Sequence, residues 1–189
     1  MVELFKNNTM TFVAGSSWQP DEDLFIEYFN QHPEVKLVIA PHVIDENHLV
    51  EIIRKLKRPY VRYTRADEKN VCKADCLIID CFGLLSSIYR YGEIAYIGGG
   101  FGVGIHNTLE AAVYGIPVIF GPKYQKFQEA IQLLEAKGAF SVKDYEELKT
   151  LLDRMLTDEV FLRESGMNAS NYVTSNAGAT DKIMSMINF

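Results

Sequence analysis

The sequence predicts a doubly wound α/β fold, in which helices cover both faces of a mostly parallel sheet of about six strands. Short apolar runs alternate with longer amphipathic segments along most of the 189 residues, a pattern typical of right-handed βαβ crossovers. The apolar runs are nearly continuous in Val, Ile and Leu, as a sheet buried on both faces requires. With 48% hydrophobic residues, the chain can bury the core of a single Rossmann-like domain spanning residues 1–189.

Strands and helices are predicted in alternation, followed by a purely helical end. The predicted strands are residues 10–15, 35–40, 60–63, 76–80, 94–99 and 117–120. The predicted helices are residues 21–31, 45–57, 84–91, 107–115 and 124–138, several of which begin at Asp or Asn and two of which end at Gly. We interpret residues 142–189 as a helical C-terminal extension of the same domain.

Charge argues against one class of partner. The net charge of −6 and the pI near 5.3 exclude a general nucleic-acid binder, which would carry a basic surplus. Residues 54–65 nevertheless hold six Lys and Arg and no acid. These residues either favour the dipole at a helix C-terminus and stay solvated, or form a patch for an anionic lipid or sugar, such as an anionic membrane surface.

Cysteine usage and hydropathy indicate a reduced chain without a metal site. Cys72, Cys76 and Cys81 lack paired metal-ligand spacing, and no His lies nearby to complete a zinc set. The N-terminus lacks the pattern of a signal peptide, and no run approaches the roughly 18 apolar residues of a membrane span. The sequence also lacks a carboxylate cluster with metal spacing and a nucleophile elbow, so we expect no metal and cannot assign a catalytic base.

Small, polar and glycine residues follow each predicted strand. In an open parallel sheet, ligands bind outside the carboxyl ends of the strands, so these residues gather along one edge. They are Gly15-Ser16-Ser17, Pro41-His42, Thr64-Arg65, Cys81-Phe82-Gly83, Gly98-Gly99-Gly100 and Gly121-Pro122-Lys123.

The glycine-rich stretch 96–122 fits neither of two familiar phosphate-binding motifs. Every G-x-G start meets a residue other than Gly at the sixth place, so the dinucleotide fingerprint fails, and the chain has no Gly-Lys pair for a P-loop. Glycines permit a ligand to lie against the backbone, and the N–H groups at the start of the following helix favour a phosphate or carboxylate.

Asn107 and Glu110 open that helix, and two interpretations of the pair remain open. Glu110, about one turn into the helix, would face the same ligand and accept hydrogen bonds from sugar hydroxyls. Alternatively, Asn107 is a helix N-cap and Glu110 its capping-box partner, which requires no ligand. His106 alone is a weak signal.

Taken together, these motifs resemble a known family: the 3-deoxy-D-manno-octulosonic acid (Kdo) transferases, glycosyltransferases of the GT-B architecture with two Rossmann-like domains. The resemblance covers about residues 10–130. It rests on the order and spacing of Ala14-Gly15-Ser16-Ser17, Ala40-Pro41-His42, Asp80, Gly83, Leu85, Ile88-Tyr89, Gly98-Gly99, His106-Asn107, Glu110 and Phe120-Gly121-Pro122.

The resemblance implies that the chain is the donor-binding half of a GT-B enzyme, which transfers Kdo from CMP-Kdo to a lipid A precursor in lipopolysaccharide synthesis. The acceptor domain, with the catalytic base, would be missing, so we expect a soluble piece without activity of its own from an enzyme at the cytoplasmic face of the inner membrane. No cofactor is implied. The implied donor-binding residues are Ser16, Ser17, Pro41, His42, Gly83, Gly98, Gly99, Gly100, Phe101, His106, Asn107 and Glu110.

Two alternatives remain open at this stage. A GT-B relative that uses a UDP-sugar, either a transferase or a UDP-N-acetylglucosamine 2-epimerase, would use the same edge with Glu110 on the ribose. A non-catalytic binding module would need the glycine stretch only as a bend. We further expect that the end of an isolated donor domain exposes an apolar patch at Ile183, Met186 and Phe189.

Overall fold

A computed structural model describes residues 1–177 as one seven-stranded, entirely parallel sheet with helices on both faces. The strand order is β3-β4-β2-β1-β5-β6-β7, and every neighbouring pair is parallel. The strands are β1 (Met10–Ser17), β2 (Val35–Pro41), β3 (Tyr60–Arg62), β4 (Cys76–Ile78), β5 (Ile94–Ile97), β6 (Val118–Phe120) and β7 (Ala139–Ser141). The predicted fold class is therefore confirmed.

Two apolar layers lie on opposite faces of the sheet. The α-helices are α1 (Val2–Lys6), α2 (Gln19–Gln31), α3 (Glu46–Lys55), α4 (Glu68–Val71), α5 (Leu85–Ile88), α6 (Leu109–Ala112), α7 (Gln128–Glu135), α8 (Tyr145–Thr157) and α9 (Glu159–Asn176). Helices α2, α3 and α8 supply one layer, and α1, α4, α5, α6 and α7 supply the other. Helix α9 crosses between them, since Phe161 packs on the first layer and Ala169 lies in the second.

All six predicted strands are present within three residues of their predicted ends, and the sheet gains a seventh. Strand β7 is only three residues long, and its apolar signal is too short to separate from the loop around it. The predicted helix at 107–115 is much shorter than expected. It forms a single turn, α6, because the Asn107 side chain caps the Leu109 amide and so delays the start. At the other end, Tyr114 and Gly115 donate to the carbonyls three residues back, which tightens the chain into a turn after Ala112.

The strand order places a topological switch point between β1 and β5. Strand β2 lies on one side of β1 and β5 on the other, so the connections that leave the carboxyl ends of β1 and β5 diverge to opposite faces. A crevice opens at such a point and is where ligands bind in doubly wound sheets. A ligand site is therefore expected at the residues that follow β1 and β5.

The chain after β7 is helical as far as the structure describes it. Helices α8 and α9 pack on the sheet and on each other, in agreement with the predicted helical extension through Asn176. The predicted apolar patch at Ile183, Met186 and Phe189 lies outside the described residues. Within residues 1–177, none of the helices combines the length and the hydropathy that a membrane crossing requires.

Candidate functional site

The carboxyl ends of β1, β2 and β5 are joined directly by backbone hydrogen bonds. The Gly98 amide donates to the Gly15 carbonyl (2.9 Å), and the His42 amide donates to the Ser17 carbonyl (2.9 Å). Ser16 between them has a φ of 52°, a left-handed conformation that is strained for a residue with a side chain. The predicted gathering of Ser16, His42 and Gly98 at one edge is what the structure shows.

The glycines after β5 serve close packing within the protein. A Cβ on Gly98 would lie 2.5 Å from the Ser17 Cα, and a Cβ on Gly100 would lie 2.6 Å from the Gly121 Cα. Gly99 has a φ of 94° and packs against the Gly104 carbonyl. Gly98, Gly99 and Gly100 are buried and form a tight knot of backbone that shapes the crevice, and donor binding by these glycines stays a prediction.

Gly102 and Phe101 lie on the outside of this knot. Gly102 is exposed, and its nearest neighbour from a Cβ position is the Gly99 carbonyl oxygen at 4.0 Å. The Phe101 ring packs against Gly121, where a Cβ would approach it to 2.8 Å. Phe101, a predicted donor-binding residue, is thus held by contacts inside the protein.

Asp21 lies beneath the glycine loop and binds it through the Gly99 amide. The sequence did not predict this role. Its carboxylate is 1% exposed and accepts hydrogen bonds from the amides of Trp18 and Gly99 and from the Tyr96 hydroxyl, each at 2.9 Å. Burial raises the pKa of Asp21, although these three donors act against the rise. An acidic residue at the third position of a helix is common as a cap, so the sequence alone offered no signal for this role.

Ser17 lies beneath the crevice, and its predicted contact with the donor stays a prediction. The Ser17 side chain is buried and donates to Glu22 Oε1 (3.0 Å), and His48 Nε2 lies 2.9 Å from the same oxygen. Burial raises the pKa of Glu22, which is fully enclosed. Ser17, Glu22 and His48 therefore form an internal polar cluster between β1, α2 and α3.

Three aromatic rings stack across the crevice. The Trp18 and His42 rings are 4.6 Å apart with 25° between their planes, and the His42 and His106 rings are 4.5 Å apart with 28°. The stack joins the ends of β1 and β2 to the loop after β5. Trp18, the only tryptophan of the chain, was not predicted as a site residue, and its neighbours in the stack are far from it in sequence.

Several polar atoms at this edge have no partner among the described residues. They are the buried side-chain atoms Trp18 Nε1, His106 Nε2 and Thr108 Oγ1. Burial and the neighbouring His42 lower the pKa of His106, while Asp21 opposes the change.

Asn107 and Glu110 contact each other at the open side of the crevice. Asn107 Oδ1 accepts from the Leu109 amide (3.0 Å), and Asn107 Nδ2 donates to Glu110 Oε1 (3.3 Å). The Asn107 side chain thus caps α6, as one of our two interpretations predicted. The amides of Asn107 and Thr108 donate to no acceptor within residues 1–177. Because α6 is one turn long, its dipole is small and an anion here would depend on these amides.

A cavity of about 230 Å³ adjoins the ring stack on the β2 and β4 side. Gly83 and Phe82 form its outer rim. Gly83 has a φ of 84° with open space around it, and Phe82 is 80% exposed. The walls are mainly apolar and come from Ser16, Ala40, Pro41, His42, Ile44, Ile79, Cys81 and Leu85. Predicted residues Ser16, Pro41, His42 and Gly83 therefore share one cavity.

Half of the basic side chains at 54–65 are bound within the protein. Arg62 pairs with Asp80 (2.8 Å) and Glu46 (2.9 Å). Arg58 donates to carbonyls in the last turn of α2 and just after it, and Lys55 pairs with Asp23 (2.6 Å). These contacts favour the structural interpretation of the segment, and an anionic membrane surface stays a prediction. In the described part of the chain, no three His, Cys, Asp or Glu side chains lie together as metal ligands would.

Comparison with known proteins supplies the family. No protein-family model matches the sequence. A 3-deoxy-D-manno-octulosonic acid transferase from Aquifex aeolicus is 34% identical over 151 residues, covering 77% of this chain and 41% of the relative. Its namesake from Rickettsia felis is 32% identical over 190 residues, covering 96% of this chain and 40% of the relative. The chain thus spans about two fifths of the length of these relatives.

Among solved structures, the C-terminal CMP-Kdo binding domain of WaaA from Acinetobacter baumannii has the same fold. The TM-score is 0.79 at 18% identity, and the match covers 90% of this chain and 92% of that domain. The chain belongs to the Kdo transferase family and has the fold of such a C-terminal domain.

Proposed function

We propose that this chain binds the CMP part of CMP-Kdo at the crevice between β1 and β5, as the donor-binding part of a Kdo transferase. The observation that carries the proposal is the crevice at the switch point between β1 and β5, with the exposed His42 and, within residues 1–177, the unbonded amide of Asn107 at its edge. The choice of CMP-Kdo as the donor rests on the family to which the chain belongs, and the choice of the crevice as its site rests on the strand order.

Two parts of the crevice suit two parts of a nucleotide. The amide of the exposed Asn107 donates to no acceptor within residues 1–177 and can donate to an anion such as a phosphate or a sugar carboxylate. Within residues 1–177, the Glu110 carboxylate accepts one long hydrogen bond, from Asn107 Nδ2 (3.3 Å), and can also accept from the paired hydroxyls of a ribose. The apolar cavity beside Gly83 suits the flat base.

The donor site acts by stabilising the leaving nucleotide. As the bond from Kdo to the phosphate breaks, negative charge grows on the CMP phosphate, and fixed amides aimed at that charge lower the barrier. No metal or other cofactor is needed in this scheme. The acceptor, a lipid A precursor, and the base that deprotonates its hydroxyl would be bound by parts of the enzyme beyond this chain.

Calorimetric titration with CMP and with UDP tests the proposal. We expect the chain to bind CMP and to bind UDP more weakly, and Glu110→Ala to weaken CMP binding by about 10- to 100-fold through the loss of a charged hydrogen bond. Glu146→Ala on α8, an exposed acid remote from the crevice, is the matched control and should bind CMP normally. Binding of UDP without CMP, or CMP binding unaffected by Glu110→Ala, would refute the proposal.

A further inference from the structure

The buried carboxylate of Asp21 connects three separate walls of the crevice. Trp18 belongs to the turn between β1 and α2, Tyr96 to β5, and Gly99 to the loop after β5; each donates one hydrogen bond to Asp21 at 2.9 Å. Asp21 is only 1% exposed, so its side chain cannot contact a ligand directly. Its influence on a ligand must therefore pass through these three partners.

Gly99 is the node through which Asp21 acts on the loop. Its amide donates to Asp21, and its carbonyl accepts from the amides of Gly102 and Gly104, both at 3.0 Å. The loop from Gly99 to Gly104 is thus folded onto one residue, whose own conformation is left-handed with a φ of 94°. Without the bond to Asp21, the Gly99 amide would be buried without an acceptor, which destabilises this loop conformation and favours another.

The same loop holds the residues that face the ligand. The His106 amide donates to the Gly98 carbonyl (3.3 Å), and the His106 ring lies 3.4 Å from where a Cβ on Gly99 would be. His106 in turn stacks on His42, which stacks on Trp18, another partner of Asp21. Asp21 therefore bonds directly to Trp18 at one end of the ring stack, and through Gly99 it supports His106 at the other end. Asn107 follows His106 in the sequence.

The charge on Asp21 is met by hydrogen-bond donors, because no Lys or Arg pairs with it among residues 1–177. Its place in the first turn of α2, a helix of 13 residues, adds a favourable dipole. Burying a carboxylate without a cationic partner costs free energy. We therefore interpret Asp21 as a residue whose contribution is the geometry that its hydrogen bonds impose. The enforced geometry is that of the crevice.

From these contacts we infer that Asp21 is a positioning residue, which orders the loop 99–107 and so holds the wall of the crevice that the donor would contact. The identity of the ligand in this inference rests on the proposed function, whereas the ordering of the loop by Asp21 concerns the free protein alone. It predicts that the hydrogen-bond geometry of Asp21 matters more than its charge. Asn can retain that geometry, since one side-chain oxygen, Oδ2, accepts both amides and the Tyr96 hydroxyl can accept in place of donating.

The first test uses the free protein and needs no ligand. In amide hydrogen exchange by NMR, we expect the amides of Gly99, Gly104 and His106 to exchange at least 10-fold faster in Asp21→Ala, and within about threefold of the wild type in Asp21→Asn. Asp153→Asn, which also removes a carboxylate bound to a tyrosine hydroxyl (Tyr28, 2.8 Å), is the control and should leave the loop unchanged. Unchanged exchange in Asp21→Ala would overturn the inference whether or not CMP binds.

The second test is CMP affinity measured by calorimetry on the same variants. We expect Asp21→Ala to weaken binding at least 10-fold, with rescue to within threefold by Asp21→Asn. A loss of equal size in both variants would assign the effect to charge and overturn the inference. Should Asp21→Ala not fold, Tyr96→Phe removes one of the three donors and is expected to speed exchange at Gly99 by about two- to fivefold. No change at Gly99 in that variant would then count against the inference.

These two tests separate the inference from the function. If the wild type binds no CMP, the proposed function fails while the exchange result still decides whether Asp21 orders the loop. If the wild type binds CMP and the loop is disordered in Asp21→Ala without a loss of affinity, the proposed function stands and the positioning role is overturned.

Discussion

Gly100 and Gly121 meet back to back at the carboxyl ends of β5 and β6, so closely that a Cβ on Gly100 would lie 2.6 Å from both the backbone N and the Cα of Gly121. Backbone atoms cannot move aside cheaply, unlike the end of a flexible side chain. This contact explains why glycine occurs at both positions without reference to any ligand.

Gly100→Ala should therefore destabilise the protein by about 3 kcal/mol through overpacking. Gly102→Ala is the matched control from the same loop, because the nearest neighbour of its Cβ would be the Gly99 carbonyl oxygen at an ordinary contact distance of 4.0 Å. It should change the free energy of unfolding by less than about 1 kcal/mol. Urea denaturation followed by circular dichroism measures both. Equal stabilities would show that the two glycines do not differ in packing as described.

Arg62→Ala should lower the free energy of unfolding by about 2–3 kcal/mol, since it leaves the buried Asp80 with only its bonds from Thr64. Lys57→Ala, which removes an exposed charge from the same basic segment, should change it by less than about 0.5 kcal/mol. A larger effect of Lys57→Ala would argue that the exposed side chains of the segment are structural and that Arg62 is not its main support.

The pair also predicts a response to pH. Burial alone would raise the pKa of Asp80, but hydrogen bonds from Thr64 and Arg62 outweigh it and lower the pKa. The stability from these bonds is present above the unfolded pKa of about 3.9 and is lost as the pH falls through the folded value. The difference between wild type and Arg62→Ala should shrink below about pH 4 in denaturation curves, and a constant difference down to pH 2 would contradict this assignment.

His106 predicts a separate loss of stability in mild acid. Burial and His42 lower its pKa in the folded protein, with Asp21 acting in the opposite direction. The unfolded chain then binds a proton more readily, so the stability falls as the pH drops through the unfolded histidine pKa of about 6.5. His106→Asn should lose less stability than the wild type between pH 7.5 and pH 5, measured as the melting temperature. Parallel curves for the two proteins would refute this.

Trp18 provides an optical report on the crevice. It is the only tryptophan of the chain, and its ring stacks on His42 at 4.6 Å. His42→Ala should expose the indole and shift its emission to longer wavelength, and CMP should change the emission of the wild type. His32→Ala, whose ring stacks on Tyr28 elsewhere, should leave the emission as it was. An emission spectrum unaffected by His42→Ala would exclude the stack.

The parts of this structure that depend on local sequence were predictable. Apolar runs such as 35–40 marked the strands, and because all strands are parallel, the residues after them had to lie at one edge. The Asn107 and Glu110 pair was found because helix starts have a recognisable spacing. Each of these inferences needs only neighbouring residues and a general rule of sheet geometry.

The parts that depend on distant contacts were not predictable. The approach of Gly100 to Gly121 and the hold of Asp21 on Gly99, 78 positions along, follow from the strand order, which one sequence does not reveal. Strand β7 was too short to detect, and α6 is short because the Asn107 cap before it and the turn after Ala112 confine it to one turn. The burial of Ser17 was missed for a related reason, because its side chain turns beneath the edge of the sheet and donates to Glu22.

The central claim is that CMP lies between the ends of β1 and β5. Chemical-shift mapping of the ¹⁵N-labelled chain during a CMP titration tests it most directly. The account predicts saturable shifts concentrated at Ser16, His42, Gly83, Asn107 and Thr108, with the groove beside β7, lined by Phe140 and Leu151, unaffected. Shifts centred on that groove, or none at the crevice at saturating CMP, would contradict the account.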